Sequence, residues 1–186
     1  MVGLSGLWMP IVLSAVLVFV ASSLIHMVLG WHKGEYAQPP GEQAIAEAIR
    51  AAKVAPGEYL MPYAADMKTM GTPEFKARLE QGPNVLMTVR QPGAGGMGKM
   101  LALWFVYCLV VSVFAGYVAG RALGWGADYL RVFRFAGVTA FAGYGLALWQ
   151  SWIWWSKSTR ATITGTLDAL IYALLTAGAF GWLWPR

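Results

Sequence analysis

The sequence predicts a membrane all-α fold: a four-transmembrane-helix bundle with a small α/β extramembrane insertion between helices 1 and 2. Three observations carry that expectation. Of the 186 residues, 58% are apolar and only 12% charged, against about 25% charged in an ordinary soluble domain. Four long apolar runs recur, near residues 7–29, 100–120, 135–155 and 162–184, each sufficient to cross a hydrocarbon layer of about 30 Å as a helix. The ten tryptophans fall near the ends of those runs, where an amphipathic indole is at home between lipid and water. The chain therefore divides into transmembrane helix 1 (1–30), an extramembrane α/β unit (31–99) and transmembrane helices 2–4 (100–186).

The first run, Leu7 to Leu29, is entered through Trp8 and Pro10. Proline is tolerated in a first helical turn, where its missing N–H has no partner to lose. The run is too long for a secretory h-region and no basic n-region precedes it, so it is read as a retained anchor. Gly30-Trp31-His32-Lys33 then leaves the membrane.

Residues 34–98 form the polar stretch. Glu42 to Lys53 reads as an amphipathic helix with Ile45, Ala48, Ile49 and Ala52 on one face. Glu58 to Met61 reads as a short strand. Thr72-Pro73-Glu74 is a helix start, with Thr72 as N-cap and Pro73 in the first turn. Asn84 to Arg90 alternates Val85, Met87 and Val89 against polar neighbours, a strand pattern. Pro92 to Gly96 is a glycine-rich tether back to the membrane. So small a unit with few large apolar side chains is marginal alone.

The second and third runs are joined by a loop over Arg121 to Arg134, and the third and fourth by Ser156 to Ala161. The fourth run carries two stripes. Gly165, Ala169, Ala173, Ala177 and Gly181 recur every four residues on one face, and Thr164, Asp168, Tyr172 and Thr176 form an adjacent polar face. Small residues at that spacing let another helix approach closely, which lipid does not otherwise favour. Gly116 and Gly120 repeat the spacing at the exit of the second run.

Charge narrows the function classes. The net charge is +5, but residues 31–99 are nearly neutral, with eight Lys/Arg against seven Asp/Glu. The basic excess flanks the apolar runs, where it suits phospholipid headgroups and offers no groove for nucleic acid. Arg121, Arg131, Arg134 and Arg186 outnumber Lys157 and Arg160 on the opposite side. The positive-inside rule then puts both termini in the cytoplasm and residues 31–99 outside. The architecture resembles that of small four-span bacterial membrane proteins, which implies the inner (plasma) membrane.

Enzyme motifs are absent from the sequence: there is no phosphate loop in a strand–loop–helix context, no nucleophile elbow and no HExxH. The lone Cys108, inside an apolar run, has no partner for a disulfide or a thiolate zinc site. What chemistry there is lies at one depth. His26, Tyr107, Gln150 and Asp168, one from each run, all fall within about one or two helical turns of the interface that carries the polar unit. An ionisable residue inside a span marks a site by default, because its burial is expensive. The first expectation for Asp168 is a structural partner, His26, Arg160 or a Ser/Thr hydroxyl. The alternative is a proton or cation relay of Asp168, His26 and Tyr107. His26 and His32, six residues apart, fall on different faces of one continuous helix and make a poor chelating pair there. Met67 with Met70, and Met97 with Met100, have thioether-pair spacing, and together with His32 they set out a weak copper alternative; otherwise no cofactor is expected. The expected role is a non-enzymatic accessory or scaffold subunit, with the lipid bilayer and a membrane-protein partner or second copy as its company.

Overall fold

The structure is a computed structural model that describes residues 1–93 and 96–186. It contains two compact units, one made of Met1–Ala37 with Met97–Arg186 and the other of Gln38–Gly96. Ala94 and Gly95 of the glycine-rich tether lie outside the described residues.

The first unit holds four helices long and apolar enough to cross a membrane: Leu4–Leu29, Met97–Ala122, Tyr129–Trp155 and Thr159–Trp182. The first comprises α1 (Trp8–Leu24) and a π turn over Ile25–Leu29. The second is α5 (Met97–Ala122). The third is α6 (Tyr129–Phe141), a π turn over Ala142–Leu146, and α7 (Ala147–Trp155). The fourth is α8 (Thr159–Trp182). Large apolar side chains such as Leu24, Val106, Val138 and Ile153 stay exposed around the outside. In water such a surface would be a liability, and in lipid it is the solvent-facing surface.

The loop expected over Arg121 to Arg134 is shorter than the sequence suggested. Helix α6 begins at Tyr129, so Arg131 and Arg134 sit in its first two turns. A long basic side chain near a helix end reaches back to the interface, so its charge does not stop the helix. The second connection also shrinks, to Ser156–Ser158, because the Ser158 hydroxyl accepts the Ala161 N–H and starts α8 early. Ser156 takes a left-handed φ of 49° to make the turn.

The small-residue stripe of α8 faces the third helix. A methyl group added at Gly137 would meet Ala177 Cβ at 3.0 Å, and one at Gly145 would meet Ala169 Cβ at 3.0 Å. At Gly165 it would meet Leu148, and at Gly181 the Tyr129 ring at 2.6 Å. The backbones approach because no side chain intervenes. The polar row turns inward instead, and Asp168, Tyr172 and Thr176 are all buried. Gly116 makes room for Phe180 and Ile11, and Gly120 receives the Val2 backbone, whose N–H donates to the Gly120 carbonyl at 2.8 Å.

Two packed zones result. Toward the chain termini, Leu7, Ile11, Ala115, Ala119, Val132, Ala136 and Phe180 form one apolar cluster. Toward the other end, Ala15, Val18, Ile25, Cys108 and Tyr172 form a second, edged by Trp31, Trp104 and Tyr144. Between them a buried Ser14 hydroxyl donates to Ser112 at 2.9 Å.

The second unit is built as its sequence pattern suggests. Helix α2 spans Glu42–Ala51, and β1 (Gly57–Met61) pairs antiparallel with β2 (Val85–Val89), with Gly57 opposite Val89 and Met61 opposite Val85. Between the strands lie α3 (Met67–Met70) and α4 (Pro73–Gln81). Thr72 caps α4 by accepting the Phe75 N–H at 3.2 Å, and Phe75 is buried.

Candidate functional site

At the end of the bundle opposite the chain termini, the first helix stops at Gly30, which adopts φ 66°. That left-handed conformation is open to glycine at no steric cost and reverses the chain. Trp31 and His32 therefore turn back over the helix they have just left. The His26 and His32 rings, set on different faces by the single-helix reading, come to lie 4.2 Å apart between centroids. The expected placement on different faces fails because the chain is not one helix between them.

Asp168, on α8, is buried and receives this turn. His32 Nε2 lies 2.9 Å from Asp168 Oδ2, while the other carboxylate oxygen is buried without a hydrogen-bond partner among the described residues. The opposite ring nitrogen, Nδ1, lies 2.7 Å from Glu35 Oε1. The Thr164 hydroxyl reaches the same Glu35 oxygen from α8. Trp31 donates its indole N–H to His32 Nε2 at 2.9 Å. Arg160 donates to the Lys33 carbonyl at 3.0 Å and so pins the turn to the start of α8. Burial alone favours a neutral Glu35, yet the Thr164 hydroxyl and the His32 and His26 rings outweigh it and hold its carboxyl below the usual range.

Beneath the cluster lies a floor of aromatic rings drawn from three helices. Trp104 and Tyr107 stack at 5.6 Å, and Tyr144 meets Tyr172 edge to face at 5.4 Å. Trp104 donates its N–H to Ser22 at 2.8 Å. The π turn over Ala142–Leu146 displaces the backbone register there, and the Gly143 carbonyl accepts the Tyr107 hydroxyl at 2.6 Å.

Of the four residues expected to share one layer, the structure brings together His26 and Asp168. Tyr107 belongs to the aromatic floor. Gln150, on α7, is exposed. The sequence reading missed Glu35, Trp31 and Thr164, and it assigned His32 to the extramembrane unit, whereas residues 31–37 pack with the helices. The available signal was the Gly30 immediately after an apolar run, followed by His and Glu three residues apart. The methionine set is divided. Met67 and Met70 are exposed on α3 of the second unit, and Met97 and Met100 are exposed on the first turn of α5 in the other.

Two histidines and one carboxylate thus present ligand atoms all within 4.8 Å of one another, with His26 exposed, His32 half-buried and Asp168 buried. Chemically His32, with Asp168 near one ring nitrogen and Glu35 near the other, can hold a proton between two carboxylates, and the three-residue set can hold a metal ion. Comparison with protein-family models, with curated proteins and with solved structures finds no match.

Proposed function

We propose that this chain is a non-enzymatic integral membrane protein, an accessory or scaffold subunit of a larger inner-membrane assembly, with both termini cytoplasmic. The observation that carries the proposal is the filled interior of the bundle. Leu7, Pro10, Val18, Cys108, Val132, Thr176 and Phe180 are all fully buried along it. A carrier needs a water-accessible route that opens alternately to each side, and this packing supports a closed post instead. A proton on His32 Nε2 would bond it to Asp168 Oδ2, 2.9 Å away, in place of the Trp31 contact, which supports a role in tying the first helix to the fourth.

A second reading, a proton- or cation-linked carrier using Asp168 and His26, draws on the exposed His26 beside the buried Asp168. Two measurements separate the readings. Extraction in mild detergent should yield a defined second polypeptide in fixed ratio with this chain. A chain that migrates alone as a monomer counts against the subunit role. In proteoliposomes the purified chain should add no pH-dependent cation flux over empty vesicles. A flux abolished by Asp168→Asn in a folded protein would install the carrier reading in its place.

A further inference from the structure

We propose that His26, His32 and Asp168 form a binding site for one divalent transition-metal ion of zinc's class, with Glu35 as the positioning residue that orients His32. The inference goes beyond the subunit reading and stands or falls separately from it.

The donor set selects the metal. Imidazole nitrogen and carboxylate oxygen suit zinc and its first-row neighbours, and among the described residues the set holds no thiolate to favour Cu(I). Zn–N and Zn–O bonds of about 2.0–2.2 Å place tetrahedral ligand atoms about 3–3.5 Å apart. His32 Nε2 and Asp168 Oδ2 are already 2.9 Å apart, and the whole set lies within 4.8 Å, so closure onto an ion is a matter of side-chain adjustment. His26, exposed at the end of the first helix, is free to make it. Three protein ligands leave a fourth position open on the exposed His26 side, for water or a further donor.

Two observations beyond the cluster itself point to a cation. First, Asp168 Oδ1 is buried with no hydrogen-bond partner among the described residues, a costly state for a carboxylate oxygen. A bound ion supplies the missing company, directly or by freeing the Trp31 N–H to turn to the carboxylate. Second, His32 carries the support that metal-bound histidines usually have. Its Nδ1 faces Glu35 at 2.7 Å, and Glu35 is itself held by Thr164. A carboxylate accepting from Nδ1–H fixes the tautomer that leaves Nε2 as the ligand and raises its basicity. The contact that opposes binding is the Trp31 indole N–H, which occupies the Nε2 lone pair at 2.9 Å in the present arrangement and must release it. The charges balance once it does, because Glu35 and Asp168 together neutralise a divalent ion.

The test uses the full chain in detergent, purified with a tag that contains no histidine, since His26 and His32 are the two histidines in the sequence. Titration with Co2+ should give one equivalent per chain with the strong visible absorption of four-coordinate cobalt, displaced by Zn2+. His26→Ala, at an exposed position, should lose that absorption and most of the affinity. Glu35→Gln should keep the stoichiometry and weaken binding about tenfold to a hundredfold. Absence of binding by the native chain, or one-equivalent binding that survives His26→Ala, overturns the proposal. If Asp168→Asn does not fold, His26→Ala decides the matter alone.

Discussion

The two ends of the bundle are held by different forces. At the end near the chain termini the contacts are apolar and close. Phe180 and Leu7 are fully buried, Gly116 and Gly120 admit their neighbours, and the Tyr129 ring lies against Gly181. At the other end a buried carboxylate, two imidazoles and a second carboxylate are gathered by a chain reversal. Lipid tails are as apolar as Phe180, so burial of that ring contributes through packing, and shape matters more than hydrophobicity. Polar groups have no such alternative in hydrocarbon, and their partners fix geometry more than they add strength. The apolar end is where stability should reside, and the polar end is where binding should.

Substitutions at each end can break or sharpen that contrast. Phe180→Ala empties the apolar cluster and should cost about 3–5 kcal/mol, read as a lowered detergent unfolding midpoint. A loss under about 1 kcal/mol would show that the cluster adapts and that the two ends are not different in kind. Gly120→Ala places a methyl group on the Val2 carbonyl, which is backbone and cannot turn aside. The expected loss is about 2 kcal/mol, in the overpacking range. At the polar end, Asp168→Asn keeps the shape and a hydrogen-bonding oxygen, so the stability loss should be smaller, about 1–2 kcal/mol. A loss that matches Phe180→Ala would reverse the assignment of roles. Ser14→Ala, between the zones, removes one interhelical hydrogen bond and should cost about 0.6 kcal/mol, the mean for such bonds in a membrane.

The second unit gives the smallest effect, and a pH-dependent one. Asp66 caps α3 by accepting the Thr69 N–H at 2.7 Å, and that bond chiefly lowers its carboxyl from the usual 3.8. A carboxyl lowered on folding adds stability that is present above its ordinary value and lost as the pH falls through the lowered one. NMR titration should find Asp66 deprotonating below 3.8, and a normal midpoint would remove the cap from the account.

Much of the architecture was legible in residue order because lipid imposes a length and a polarity that sequence displays directly. The stripe from Gly165 to Gly181 announced a close helix seam, and Thr72-Pro73 announced the start of α4. The ends of the spans were less legible. Arg131 and Arg134 look like loop residues by charge, while their long stems let them serve inside a helix. The site was half legible. Asp168 stood out as a lone acid in an apolar run, but its partner depended on one backbone angle at Gly30, which no periodicity encodes. Glu35 and Thr164, 129 residues apart in the chain, meet only because two helix ends are brought side by side.

The three-residue link Ser156–Ser158 has a consequence for biogenesis. Helices three and four are adjacent in the chain and share the tight seam of glycine and alanine, so they are placed to zip together as one hairpin soon after synthesis. In that hairpin alone Asp168 lacks the His32 turn, which belongs to a part of the chain translated long before, so the contact that buries the acid is a long-range one.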